Sequence, residues 1–191
     1  MPPRMVLIRH GQTEWSKSGR HTSRTDVSLM DEGCRQAERA GELLLAHGFI
    51  TFAQVLTSPL RRASETCAAA GFRGEIDPDL VEWDYGEYEG LTSDQIRRER
   101  PGWTLWDDGV PGGERASEVA RRADRVISRA LRIDGDTLCV AHGHILRVLA
   151  ARWLGLPPVA GRLFLLYPGH LCVLGWERES PALEWWNEAP G

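Results

Sequence analysis

Three apolar stretches of this chain end in residues able to handle a multiply charged oxyanion. Met5-Val6-Leu7-Ile8 runs into Arg9-His10-Gly11-Gln12-Thr13. Ala53 to Thr57 runs into Ser58-Pro59-Leu60-Arg61-Arg62, and Thr137 to Ala141 runs into His142-Gly143-His144. A fourth segment, Glu82-Trp83-Asp84-Tyr85-Gly86-Glu87-Tyr88-Glu89-Gly90, is acidic. Together they would supply two or more arginines, two histidines and a carboxylate. Guanidinium forks bind phosphoryl oxygens, an imidazole can attack phosphorus, and a carboxyl can protonate a leaving oxygen.

The elements that must position these residues alternate between strand and helix. Met5 to Ile8, Ala53 to Thr57 and Thr137 to Ala141 read as strands, the first a continuous apolar run buried on both faces. Leu171 to Trp176 and Ala182 to Trp186 close the chain as strands, in a hairpin arrangement. Asp31 to His47 reads as a helix, and Ser58-Pro59 starts another with Pro in a tolerated first turn. Thr92-Ser93-Asp94-Gln95 resembles a capping box that opens a short helix ended by Pro101. Ser117 caps a long helix whose Val119, Ala123, Val126, Ile127, Ala130 and Leu131 recur at helical spacing. Gly143 to Leu154 is the last helix. This alternation predicts an α/β fold, a three-layer αβα sandwich with a mostly parallel sheet and helices on both faces. In such sheets the ligand crevice lies beyond the carboxyl ends of the strands, where the polar segments fall.

Length and composition agree with one globular domain over residues 1–191; a chain of this size buries roughly 70% of its unfolded surface. Net charge is −4, so no global basic field favours nucleic acid or an anionic membrane. Of the 23 basic residues only Lys17 is lysine. Compositional bias explains such an excess; so does phosphate binding, which the planar guanidinium suits. No apolar stretch has spanning length and no secretory leader opens the chain. Cys34, Cys67, Cys139 and Cys172 are scattered, as expected for reduced, mostly buried thiols of a cytoplasmic protein.

The ordered motifs R-H-G-Q-T-E-W-S, T-S-P-L-R-R-A-S-E-T, L-V-E-W-D-Y-G-E-Y-E-G and A-H-G-H-I-L-R resemble those of the histidine phosphatase superfamily, whose best-known branch is phosphoglycerate mutase. The likeness covers about Met5 to Leu154 and implies a phosphoglycerate-mutase-like fold. It implies that His10 becomes a phosphohistidine and that Arg9, Arg62 and His142 surround the transferring phosphoryl. Glu82 would be general acid and then base. Motif spacing puts Arg62, rather than Arg61, in the pocket.

Elementary chemistry is consistent with these roles. His10 must be neutral at the attacking nitrogen, its other nitrogen donating to a backbone carbonyl. Gly11 lets the chain approach a phosphate closely. His142 is more useful protonated, as a donor to an equatorial oxygen. Asp84, Glu87 and Glu89 put like charge near Glu82, which must be protonated when the ester cleaves. The acidic turn could alternatively be a solvated loop or a Mg²⁺ site. No metal and no cofactor is expected, because arginines supply the positive charge.

Within the superfamily the motifs are most similar to the sedoheptulose-1,7-bisphosphatase and acid phosphatase branch. The mutase pattern has Asn where this chain has Ser16 and His144, and a long insertion where only about twenty-five residues separate Gly90 from the Ser117 helix. An open site favours hydrolysis. The resemblance therefore implies a phosphomonoesterase for a small phosphorylated metabolite such as a sugar phosphate or bisphosphate. A phosphoglycerate mutase is the alternative, and a non-catalytic phosphate-binding protein the third reading. Candidate substrate contacts are Gly11, Ser16, Thr22, Ser23, Tyr85, Gly143, His144 and Arg147. Trp83, Trp103 and Trp106 read as packing residues, and Arg97, Arg98, Arg100 and the Arg121–Arg132 series as solvated helix faces. His21, His47 and His170 receive no role. The Trp-rich tail packs internally or forms a homodimer surface.

Overall fold

The computed structural model describes residues 2–190. Its strands are β1 (Met5–Arg9), β2 (Gln54–Thr57), β3 (Glu75–Ile76), β4 (Thr137–Ala141), β5 (Leu171–Glu177) and β6 (Ser180–Glu188). They form one sheet in the order β3-β2-β4-β1-β5-β6. β3, β2, β4 and β1 run parallel, while β5 and β6 are antiparallel additions at the other edge. The apolar run Met5 to Ile8 became a central strand because only a position flanked on both sides buries every residue. Its four residues are at most 1% exposed.

Among the described residues seven α-helices flank the sheet: α1 (Glu14–Ser18), α2 (Asp31–Ala46), α3 (Arg61–Ala69), α4 (Ser93–Glu99), α5 (Leu105–Asp108), α6 (Ala116–Ala130) and α7 (Gly143–Trp153). Strand residues alternate between two cores, as the two-residue period demands. Met5 and Leu7 pack with Val119, Ala123, Ile145 and Leu149 of α6 and α7. Val6 and Ile8 pack with Ala40 and Leu44 of α2 and Cys67 of α3. Each fully buried Leu or Ile contributes about 1.5–3 kcal/mol, so both faces hold the sheet between helical layers. No helix among the described residues is long and apolar enough to cross a membrane.

Two helix starts differ from expectation. α3 begins at Arg61, leaving Ser58 and Pro59 outside it. Ser58 N still donates to Val140 O at 3.0 Å, so the sheet ladder outlasts β2 and delays the helix. α6 is capped from Arg115, whose N–H donates to the Glu118 side chain at 2.8 Å; Ser117 lies inside the first turn. Thr92 does form the expected reciprocal box with Gln95.

The tryptophans of the C-terminal tail have intramolecular partners. Trp176 Nε1 donates to Pro3 O, Trp186 Nε1 donates to Leu165 O, and Trp185 lies 4.2 Å from the His47 ring. Cys67, Cys139 and Cys172 are buried, and burial pushes the Cys67 thiol up to about 11. Cys34 is the exposed one, because the stripe of α2 that meets the sheet runs through Ala37, Ala40 and Leu44 instead.

Candidate active site

β1 and β4 are parallel neighbours in register, Arg9 opposite Ala141. The residues leaving their carboxyl ends must therefore emerge side by side. His10 N donates to Ala141 O at 2.8 Å, and the His10 and His142 rings lie 5.2 Å apart. The two connections leave in different directions. β1 leads through α2 to β2, and β4 leads through α7 to β5. That divergence opens the crevice expected at such a switch point.

His10 Nδ1 is 2.8 Å from Gly11 O. A carbonyl only accepts, so Nδ1 carries the hydrogen and Nε2 keeps its lone pair. Burial, with the charges of Arg9 and Arg62, holds the imidazole well below its usual range, hence neutral. Gly11 is needed for a reason other than approach to a ligand. A Cβ there would sit 2.2 Å from Gly33 O, and one on Gly33 would sit 2.3 Å from Gln12 O. The two glycines let the loop after β1 lie against the start of α2. Gly11 N is held by Thr66 Oγ1 of α3 at 3.0 Å.

Arg62 is wholly buried. Its Nε donates to His142 Nδ1 at 3.1 Å, and its terminal nitrogens donate to Thr22 O, Ser23 O and Thr25 O at 3.0–3.2 Å. Arg61 instead points outward to Glu65. Because Arg62 Nε is a donor, His142 Nδ1 must accept, and the ring hydrogen sits on Nε2, 2.8 Å from Ser58 Oγ. Burial and the Arg62 charge hold His142 well below its usual range. The expectation of a protonated His142 is thus corrected: it is a neutral imidazole that donates from Nε2.

Glu82 stands at the N-terminus of α7. Its carboxylate accepts from His144 N at 3.0 Å, Ile145 N at 2.9 Å and its own neighbour Trp83 N at 2.8 Å. The free N–H groups of a helix start suit a carboxylate. The surrounding acids have their own partners. Asp84 pairs with Arg24, and Glu89 accepts from Ser23 N, Ser23 Oγ and Thr25 N. Burial raises the Glu89 carboxyl, but those hydrogen bonds outweigh it and hold it below its usual range. The solvated-loop reading of Glu89 is overturned by these bonds.

The arginine row of α6 is likewise only partly solvated. Arg122 Nη1 donates to Asp79 O and Val81 O at 2.7 and 2.9 Å while its fork grips Glu114. Arg125 and Arg129 bind Asp79, and Arg129 also binds Asp77. These contacts fasten the backbone that carries Glu82.

A cleft of about 170 Å³ opens over this centre, lined by Arg9, His10, Glu82, Tyr85, His144 and Arg147 among others. Ser16, Thr22 and Gly143 also line it, but Gly11 and Ser23 do not. Ser23 is buried against Glu89. Ser16 completes the cap of α1 with Thr13. Arg9 donates to Leu166 O at 2.5 Å, while its buried Nε has no partner among the described residues. Tyr85 Oη is 2.6 Å from His144 Nδ1. Arg147 donates to Gly161 O and Arg162 O and lies over Trp106 at 4.9 Å.

Three cleft residues escaped the sequence reading: Gly19, Arg20 and His21. The signal was the Thr13-capped turn ending in Lys-Ser-Gly. Gly19 takes a φ of 74° and turns the chain back past the motif it has just left. His21 sits 4.8 Å from Tyr85 and 5.6 Å from Trp103, and burial lowers its imidazole to about 4. Among the described residues no three His, Cys, Asp or Glu side chains cluster as metal ligands.

Sheet order, paired imidazoles and the arginine at their side together define a class, and comparison with known proteins gives it its name. The chain belongs to the histidine phosphatase superfamily, whose branch 1 profile matches residues 5–189. It is 42% identical to an acid phosphatase of Mycobacterium tuberculosis, over 91% of this chain and 87% of that one. It is 36% identical to a sedoheptulose 1,7-bisphosphatase of Saccharomyces cerevisiae, over 82% and 69%. A solved structure of an open reading frame product from Mycobacterium tuberculosis superimposes with a TM-score of 0.94 at 38% identity, covering 100% of both chains.

Proposed function

We propose that this cleft hydrolyses the phosphomonoester of a small metabolite in two steps through His10. The observation that carries the reading is the commitment of His10 Nδ1 to Gly11 O, which leaves Nε2 as a neutral nucleophile in a cleft lined by arginines. The lone pair of Nε2 forms the N–P bond as the ester P–O bond breaks. Glu82 enters this step protonated, still accepting the backbone N–H groups through its remaining lone pairs, and gives its proton to the departing alkoxide oxygen. Water then enters, Glu82 takes its proton, and the resulting hydroxide attacks phosphorus as the N–P bond breaks. His10 is restored and inorganic phosphate leaves. Arg9 Nε, which has no acceptor among the described residues, is a donor suited to the phosphoryl oxygens. Such a fixed donor needs no reorganisation as charge moves.

Relatives named acid phosphatase and sedoheptulose 1,7-bisphosphatase support hydrolysis, with a sugar phosphate or bisphosphate such as sedoheptulose 1,7-bisphosphate as substrate. A mutase reading draws on a 36%-identical 2,3-bisphosphoglycerate-dependent phosphoglycerate mutase of Azorhizobium caulinodans, over 76% of this chain and 78% of that one. The short connection from Leu91 to Arg115 argues against it, since transfer requires water to be kept from the phosphoenzyme. His10→Ala should abolish phosphate release from an aryl phosphate, together with the acid-labile phosphoryl label on the wild-type protein. Turnover that survives in that variant rejects the mechanism. With 3-phosphoglycerate and a bisphosphoglycerate primer, a phosphatase yields glycerate and phosphate rather than 2-phosphoglycerate.

A further inference from the structure

The cleft holds more positive charge than one phosphoryl group can neutralise. Arg9, Arg20 and Arg147 line it, Arg62 stands against His142, and Glu82 is the acidic residue among the lining groups. Three lining guanidiniums face a phosphomonoester that brings about two charges of the opposite sign; Glu82 carries a proton when it meets that ester, so one positive charge is left over. The histidines of the wall do not alter this balance, because burial keeps His10, His21 and His144 neutral.

The four arginines are differently committed. Arg9 is held by Leu166 O, Arg62 by three carbonyls and His142, and Arg147 by Gly161 O and Arg162 O. Arg20 alone has no side-chain hydrogen bond and no ion pair among the described residues. Its guanidinium rests 5.7 Å from the centre of the Trp15 ring, at an exposed position. A cation over an aromatic face gains about 0.5–1 kcal/mol, enough to orient the group without occupying its donors. The backbone beneath it is fixed. Arg20 N donates to Trp15 O at 2.9 Å, Arg20 bridges to Thr92, and His21 N donates to Leu91 O. An oriented guanidinium on a fixed backbone, with every donor free, is a preformed anion contact.

We infer that Arg20 binds a second anionic group, a phosphate or carboxylate at the far end of the substrate, and so selects doubly anionic phosphomonoesters. This rests on the hydrolytic reading above and specifies its substrate class. The test compares kcat/KM for an aryl phosphate, a sugar bisphosphate and 3-phosphoglycerate in the wild type, Arg20→Gln and Arg20→Lys. The bisphosphate-to-aryl or phosphoglycerate-to-aryl ratio should fall tenfold or more in Arg20→Gln, mostly through KM. Arg20→Lys should recover part of it. Whichever ratio moves identifies phosphate or carboxylate as the group bound. Ratios equal in all three proteins overturn the inference while leaving hydrolysis intact. A wild type inert toward all three substrates overturns the hydrolytic reading itself.

Discussion

Arg62 Nε donates to His142 Nδ1 at 3.1 Å, and this one bond decides which face of the second imidazole carries hydrogen. With Nδ1 occupied as an acceptor, Nε2 must be the donor, and it points at Ser58 Oγ. Arg62 makes three further bonds to carbonyls of the Thr22–Thr25 loop. It is therefore a positioning residue as much as a source of charge.

Arg62→Lys should be severe although charge is conserved. Lysine has no planar fork and cannot reach both the imidazole and the loop. Loss of one preorganised donor costs about 10²–10³ in kcat, and kcat for an aryl phosphate should fall by about that factor. A buried hydrogen-bonded site missing a partner should also lower the melting temperature. Near wild-type kcat in Arg62→Lys would mean that the ring of His142 is oriented by Ser58 alone.

Acidification should destabilise the fold before it protonates the nucleophile. His10, His21, His142 and His144 are all held below the ordinary imidazole value, chiefly by burial. Below about pH 6.5 the unfolded chain therefore binds more protons than the folded one, so stability rises with pH there and is lost as pH falls. For His21 the loss accumulates down to about 4, where the folded imidazole itself titrates. Melting temperature measured from pH 7.5 to 5 should decline, with a shallower slope in His21→Asn. A slope unchanged by that substitution would show that His21 does not contribute.

Glu89→Ala should act at a distance on the same loop. Its carboxylate accepts from Ser23 N, Ser23 Oγ and Thr25 N, and these two residues offer the carbonyls that hold Arg62. Removal leaves buried donors unsatisfied, at about 1–3 kcal/mol. Denaturant unfolding should report that loss, and kcat should drop with it. Full stability in the variant would show that water replaces the carboxylate.

The centre of the site was legible because it hangs on strands with strong local signals. Met5 to Ile8 has no polar residue, and Thr137–Ala141 was delimited correctly at both ends. Once those two strands are adjacent, His10 and His142 meet by register alone. β3 was missed because it is two exposed residues, Glu75 and Ile76, recruited by the β2 edge rather than by their own pattern. Arg20 and His21 were missed because a turn, not a periodic element, returns them to the cleft. Arg122 read as one more outward arginine; nothing in its spacing announces that it folds back over Val81. The protonation of His142 was misjudged because it depends on a hydrogen-bond partner eighty residues away.

The pairing of Arg9 with Ala141 has an evolutionary corollary. A shift of one residue between β1 and β4 would send His10 to the opposite side of the sheet, so the reactive pair tolerates no gradual relocation. The wall above it is built from the Gly19–Thr22 turn, and Trp106, Arg162 and Leu163 line an adjoining pocket that shares His21 and His144 with it; neither is tied to strand register. Descendants of such a protein can exchange those walls, and with them the molecule they accept, while inheriting the chemistry unchanged.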